Sequence, residues 1–498
     1  MDFIRNFPFF SIILCMVSAV ITSILPAKTA RRWTSCLVVI VGILSAVTLW
    51  YVSGLGESYV FYMGHFPAPW GNEIRIGVLE ALTALVFCVV MFLSIQGGLH
   101  ILLQDVKESK QNLYFIMIDL LLSSLLALVY TNDLFTAYVF IEINTIAACG
   151  LIMIRDNGHC LVAATKYMIM SLIGSGLVLI SICLLYDLTG HLLMSNIQET
   201  IANGLVQTEY KFPLIVVIGL LCVGLAIKSA LYPFSSWLPD AYGYSTTTSS
   251  AMLSSLVSKG YIFLLIKIIY RVIGFDVLYK SGVGNIFFIF GIAGMIMGSV
   301  KAMKQTDIRR LVAFSSIAQI GYIYMGLGMG ITAGVVAAVF HIFSHAATKS
   351  LLFVAANGLS EVSGDSKDFV DLKGSGYRNK AAGVTFLIGA FSMIGIPLLS
   401  GFISKVSFAS AAMQIGDKKL YLAMLALAVS SILNAVYFIK AISVIFDVHY
   451  ADESKKEQTR QSGRFVFACV VFCIVNFALG MGAQPILDAI ATGLSLFA

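Results

Sequence analysis

Apolar stretches of 18 or more residues recur along this chain from end to end, each long enough to cross about 30 Å of hydrocarbon as a helix. Inside hydrocarbon every backbone N–H and C=O needs a partner within the protein, so a chain built of such stretches is confined to a bundle of α-helices. The 498 residues are 59% hydrophobic and only 12% charged, against roughly a quarter charged in soluble domains. A soluble reading of about three domains therefore fails. The segment from Met1 to Leu25 has an arginine and an apolar run but no clear cleavage site, and reads as a retained first span.

Apolar runs between charged or Gly/Pro-containing breaks give about fourteen spans, beginning near residues 8, 35, 75, 112, 133, 161, 212, 248, 283, 308, 331, 381, 419 and 464. Most of the Lys and Arg fall in the loops after odd-numbered spans. These are Lys28, Arg31 and Arg32; Lys107 and Lys110; Arg155; Lys301, Lys304, Arg309 and Arg310; Lys367, Lys373, Arg378 and Lys380; and Lys455, Lys456, Arg460 and Arg464. Positive residues stay on the cytoplasmic side, which with an even span count puts both termini on the outer side of the cell membrane. The net charge of +6 is explained by this asymmetry. It calls for no acidic partner, and nothing supports nucleic-acid binding.

Ala163-Ala164-Thr165-Lys166 in the sixth span recurs as Ala346-Ala347-Thr348-Lys349 in the eleventh, and the span after each copy contains a proline, Pro233 or Pro397. Five spans separate the copies, so the two units run through the membrane in opposite senses. That is an inverted-topology repeat, the architecture in which ion sites lie at interrupted helices near the midplane. The expected organisation is helices 1–3 over residues 1–111, a first repeat of helices 4–8 over 112–275, a second of helices 9–13 over 283–447, and a linker with helix 14 over 448–498.

Charges inside these spans point to function. Glu142 lies about ten residues into its span, roughly 15 Å deep at 1.5 Å per residue. Lys228, Lys259, His341 and Lys405 fall at similar depth. An ionised group there costs about 2.5–3.5 kcal/mol on insertion scales, so several in one chain mark an ion or substrate route. The rival reading is a set of structural polar contacts, or of side chains reaching an interface, and it suits span-end residues such as Arg271 and Lys280 best. Glu142 is the natural partner of Lys228, because the other acids placed centrally in the first repeat are only Asp119 and Asp187. Burial disfavours a lysine ammonium and a nearby carboxylate restores it, so making and breaking the pair would move a proton. Lys228 lies five residues before Pro233 and Lys405 eight after Pro397, at helix breaks where freed backbone groups admit water.

His341 and His345 are four residues apart and share a helical face, with Lys349 one turn further as a candidate third member. Imidazoles suit proton hopping, although two satisfied structural histidines would read the same way. A zinc site is disfavoured because the Glu of His-Glu-x-x-His is missing. The nine cysteines never form Cys-x-x-Cys and read as small packing residues, so no metal or cofactor is expected. The tracts 361–380 and 452–464 read as solvated linkers.

The runs Ala-Ile-Lys-Ser-Ala-Leu-Tyr-Pro-Phe-Ser-Ser-Trp-Leu-Pro-Asp-Ala (226–241), Lys-Gly-Tyr (259–261), Arg-Arg-Leu-Val-Ala-Phe-Ser-Ser-Ile (309–317), His-Ile-Phe-Ser-His-Ala-Ala-Thr-Lys-Ser-Leu-Leu-Phe (341–353) and Gly-Ile-Pro-Leu-Leu-Ser-Gly-Phe-Ile-Ser-Lys (395–405) carry a family resemblance. Over about residues 110–450 the chain resembles the proton-conducting membrane subunits shared by respiratory complex I, Mrp-type sodium/proton antiporters and membrane-bound hydrogenases. The resemblance implies fourteen helices, two inverted five-helix repeats, and broken seventh and twelfth helices. By matching position, it makes Glu142 and Lys228 the coupled ion pair, Lys259 the central relay lysine, His341 and His345 the relay histidines, and Lys405 the terminal lysine. Gln319 stands where many relatives have histidine. A lysine at 405 and the absence of a long lateral helix make the chain look like the D-type component of an Mrp-type antiporter assembly. A redox-driven complex I-like or hydrogenase module is the alternative.

The expected function is thus ion translocation, of protons or sodium, by a subunit without its own redox site that works among other membrane subunits. Two rivals come from other classes: a stand-alone permease for a small anionic solute, with Lys228 and Lys405 as binding charges, and a quinone- or cluster-bearing redox subunit.

Overall fold

The structure, a computed structural model, describes residues 2–67, 71–203, 210–416, 418–450 and 461–497. Among them thirteen helices are long and apolar enough to cross a membrane. The first are α1 (Phe7–Ile24), α2 (Ala27–Leu55), α3 (Val78–Asp105), α4 (Glu108–Tyr130), α5 (Leu134–Met153) and α6 (Gly158–Thr189). The short α7 (Met194–Ala202) leads to α8 (Lys211–Lys228), and after a break the chain resumes as α9 (Leu238–Tyr244). The next span, Thr247–Ile273, is one continuous helix. It is built of α10 (Thr247–Met252), a wide π-type turn over Leu253–Val257, α11 (Ser258–Ile268) and a second π-type turn over Ile269–Ile273.

The second half follows: α12 (Phe275–Lys280), α13 (Val283–Met303), α14 (Ile308–Gly328), α15 (Thr332–Glu361), α16 (Ser375–Arg378), α17 (Lys380–Ile394), α18 (Ser400–Ile415), α19 (Lys418–Ile445), α20 (Gly463–Met481) and α21 (Ala483–Ser495). Helices α17 and α18 together make the fourteenth crossing. The fold is a polytopic helical membrane bundle. It also has one small antiparallel hairpin, β1 (Tyr59–Tyr62) with β2 (Glu73–Ile76), in which Tyr59 faces Ile76 and Tyr62 faces Glu73.

Burial sorts the helices. The span Thr247–Ile273 is wholly enclosed, and α14 and α15 nearly so, while α1, α2, α6, α19 and α20 turn wide apolar faces outward. Charged side chains on the enclosed helices are therefore inside protein. Helices α13 and α14 pack backbone to backbone through small residues, as membrane helices do where lipid offers no hydrophobic drive. A side chain at Gly321 would strike the Gly291 carbonyl oxygen at 2.6 Å.

Three expectations change. The second span begins at Ala27 rather than near 35, because its first turns carry Lys28, Arg31 and Arg32 on the helix itself. Such side chains reach the interface by their stems and do not end a helix. The tract 361–380 is folded against the bundle. The Ile308 amide donates to the Lys367 carbonyl at 3.0 Å, the Phe369 amide donates to the Thr306 carbonyl at 2.9 Å, and Leu372 is fully buried. Arg309, expected in a loop, is in the first turn of α14 and only 1% exposed. The expected linker from 452, with Lys455, Lys456 and Arg460, lies outside the described residues as far as 460.

The Tyr59 hydroxyl donates to the Arg5 carbonyl at 3.3 Å, and the Arg75 guanidinium donates to the Leu496 carbonyl. Residues near both ends of the chain thus share the hairpin's face of the bundle.

Candidate functional site

Lys228 is the last residue of α8. Beyond it Ala230 takes a left-handed φ of 64°, and the second broken span has Leu398 at φ 74°. Non-glycine residues there cost on the order of 1–3 kcal/mol each and persist where the surroundings over-determine them. The Lys228 ammonium is buried, donates to Thr145 Oγ1 at 2.7 Å and lies 3.7 Å from Glu142 Oε1. It also lies 5.7 Å from the Tyr261 ring centre. The two ends of the pair differ: the lysine side chain is 0% exposed and the glutamate 26%.

Tyr261 connects this pair to α11. Its hydroxyl donates to Asn144 Oδ1 at 3.0 Å and lies 3.4 Å from Thr145 Oγ1. Two residues earlier on the helix, the Lys259 ammonium donates to the Ser254 carbonyl. That carbonyl is within the π-type turn, where widened backbone geometry leaves an oxygen available; such turns recur at functional sites. Ser254 and Ser255 then lead to the second half of the protein, through Ser316 Oγ at 3.2 Å and Ser350 Oγ at 2.8 Å.

On α15, Lys349 donates to the Val312 carbonyl at 3.0 Å and to Ser315. The His341 and His345 rings are stacked with centres 5.8 Å apart. His341 Nδ1 lies 2.6 Å from Ser404 Oγ, next to Lys405 on α18. The Lys405 ammonium donates at 2.6 Å to the carbonyl of Ile394, the last residue of α17, so this lysine closes the gap in the broken helix. Lys259, Lys349 and Lys405 are all within electrostatic reach of His341. Gln319 Nε2, His341 Nε2 and both His345 nitrogens are buried without a hydrogen-bond partner among the described residues. Buried polar groups in such a row are normally satisfied by water.

The structure therefore brings Glu142, Lys228, Lys259, His341, His345, Lys349 and Lys405 into one linked series through the bundle. Of the other acids expected near the centre, Asp119 is fully buried but accepts from Ser18 at 2.8 Å and Thr22 at 2.9 Å on α1, away from Lys228, and Asp187 is exposed near the end of α6. Sequence reasoning missed Glu80 and Lys267, both buried, because they sit near helix ends. Arg271, expected either to make a structural polar contact or to reach an interface, is only 5% exposed, which fits the first of these.

On the face opposite the hairpin, Arg309 donates to the Tyr242 carbonyl at 3.2 Å, the Ser245 carbonyl at 2.6 Å and Ser250 Oγ at 2.6 Å, fixing the turn after α9. Lys367 in the adjoining loop is pushed down to about 7, first by the Arg309 guanidinium and then by burial.

The sequence pattern of the family described as "NADH:quinone oxidoreductase/Mrp antiporter, TM" matches residues 131–434. The chain belongs to this family. The match runs from the start of α5 to within α19 and so contains every residue of the linked series. NADH-quinone oxidoreductase subunit N of Desulforudis audaxviator is 31% identical over 394 residues, covering 78% of this chain and 75% of that protein. The D-type component of the Na(+)/H(+) antiporter of Alkalihalophilus pseudofirmus is 26% identical over 438 residues, covering 86% and 84%. A chain in the structure of the membrane-bound sulfane sulfur reductase, an archaeal respiratory membrane complex, superposes with a TM-score of 0.88 at 24% identity, covering 100% of this chain and 98% of that one. The family's relatives are thus subunits of multisubunit membrane complexes.

Proposed function

We propose that the chain is an ion-translocating subunit, moving protons or sodium ions, of a membrane complex of the Mrp cation/proton antiporter kind, in the position of its D-type component. The observation that carries this reading is the Glu142–Lys228 pair. Glu142 lies on the outward stripe of α5 with Val139 and Ile146, which are 39% and 58% exposed. Its Oε1 is buried toward Lys228, but the side chain is 26% exposed at mid-membrane, where an ionised group open to lipid is costly, so a neighbouring subunit covers it. That neighbour can attract or release Glu142, and the lysine, buried at a helix break, then loses or regains its counter-charge.

From Lys228 the series continues through Lys259 and the histidines, with Lys349 beside them, to Lys405. Gln319 supplies a polar but non-titrating group beside this line. Residues 112–275 and 283–447 act as two inverted repeats, each with a lysine at an interrupted helix and a left-handed residue in the break. The basic face is cytoplasmic and both termini lie on the outer side. On this reading the chain is a transport subunit, and the redox chemistry of a redox-driven complex belongs to its other subunits. A second reading has the same residues serving a redox-driven complex I-like or hydrogenase-like pump, and the 31% identity to a quinone oxidoreductase subunit favours it.

Purification from native membranes in mild detergent tests the proposal. Further membrane subunits are expected to co-migrate, and reconstituted vesicles are expected to exchange protons or sodium only when those subunits are present. Uptake of a small anionic solute by the single purified chain would overturn it. Soluble redox subunits in the preparation would select the second reading.

A further inference from the structure

Five ionisable side chains outside the linked series converge near the hairpin's face of the bundle. Glu73 and Arg75 come from β2, Glu80 from the first turn of α3, and Lys267 and Arg271 from the far end of the enclosed span. Lys267 is 0% exposed, Glu80 1%, Arg271 5% and Glu73 7%. Isolated charges are rarely buried to this extent, and a half-satisfied buried network is unfavourable for stability alone.

The contacts are incomplete in a particular way. The Lys267 ammonium donates to the Val129 carbonyl at 2.7 Å and the Thr131 carbonyl at 2.5 Å, at the end of α4. Asn132 donates to Glu73, and the Arg75 guanidinium donates to Ser58 Oγ from Nε at 3.0 Å and from Nη2 at 2.7 Å. Glu80 Oε1 and Arg271 Nη1 are buried with no hydrogen-bond partner among the described residues. Glu80 is within electrostatic reach of Lys267, Arg271 and Arg75, yet among the described residues none of these closes to an ion pair with it. Glu80 Oε1 is thus an open, buried acceptor in a cluster that carries three cations.

Lys259, Phe263, Lys267 and Arg271 are spaced four residues apart and form one stripe on the enclosed helix. From Lys259 to Lys267 is two helical turns, about 12 Å of rise. Phe263, fully buried, lies between them on this stripe.

We propose that Lys267 and Glu80 form a second passage for protons, linking the central Lys259 to the hairpin's face, separately from Lys405. The proposal rests on the reading of the chain as an ion translocator. In the exchange, the Lys267 ammonium gives a proton to the Glu80 carboxylate. Glu80 passes it toward the surface past Arg75 and Arg271. The neutral Lys267 is then recharged from Lys259.

The test uses the assembled complex in vesicles. Lys267→Arg keeps the charge and the donors to Val129 and Thr131 but gives up no proton, so a purely structural lysine would tolerate it. Coupled proton movement is expected to fall about tenfold or more in both Lys267→Arg and Glu80→Gln, with subunit composition unchanged. Full activity of Lys267→Arg, alongside loss in a Lys228→Ala control, overturns the second passage and leaves the translocation reading intact. Full activity in that control too overturns both.

Discussion

Lys228→Ala and Glu142→Ala are each expected to abolish coupled ion transport in vesicles while the complex still assembles. Two unit charges about 4 Å apart attract by about 4 kcal/mol at an effective dielectric constant near 20, and about 1.4 kcal/mol is a factor of ten in an equilibrium. The approach of Glu142 to 3.7 Å is therefore large enough to decide whether Lys228 holds its proton. Without the carboxylate nothing controls the lysine, and without the lysine nothing receives the control. The folded state should tolerate both changes, since Glu142 lies on an outward stripe and Lys228→Ala removes a charge that is costly to bury. Full coupled transport in both variants would remove the pair from the mechanism.

Arg309→Leu is expected to have the second large effect, on folding. The buried guanidinium satisfies the Tyr242 and Ser245 carbonyls and Ser250 Oγ, all buried. Leucine leaves the buried Ser245 carbonyl without this donor and takes one from the Tyr242 carbonyl and Ser250 Oγ, which keep each other and Ser245 Oγ. Hydrogen bonds to charged groups contribute about 1.5–3 kcal/mol each, so a net loss of about 3–5 kcal/mol is expected. Thermal unfolding followed by size-exclusion chromatography should show a lowered midpoint and reduced yield. Arg309→Lys should recover only part of it, because all three bonds start from Nη2, one bond further along the side chain than a lysine ammonium stands. A midpoint equal to that of the unsubstituted protein would show that the turn after α9 is held by other contacts.

Much of the bundle is legible from hydropathy, because lipid forces nearly every crossing to be an apolar helix. Starts expected near 133, 283, 308 and 331 fall at Leu134, Val283, Ile308 and Thr332. The failure at α2 has the same physics behind it: basic residues mark the interface, not the helix end. The breaks are legible through Pro233 and Pro397, but the left-handed Ala230 and Leu398 are not, since neither residue type announces that conformation. The π-type turn over Leu253–Val257 is equally silent, because Leu-Ser-Ser-Leu-Val would suit an ordinary helix. It is nonetheless what offers Lys259 the Ser254 carbonyl. The lysine and histidine series stands out because each member interrupts an apolar run. The cluster of Glu73, Glu80, Lys267 and Arg271 escaped because position near a span end suggests solvent. Only packing shows that the hairpin, α3 and the end of α4 close over it. The outward stripe carrying Glu142 is also invisible in sequence, and it is the feature that calls for a neighbouring subunit.

Lys259 joins the two halves, so one substitution tests whether they form a single route. Proton movement should be measured in vesicles containing the assembled complex with Lys259→Gln, which keeps a donor for the Ser254 carbonyl but does not titrate. The route predicts a loss of coupled movement as complete as that of Lys228→Ala, with all subunits retained. Undiminished coupled movement in Lys259→Gln would contradict it.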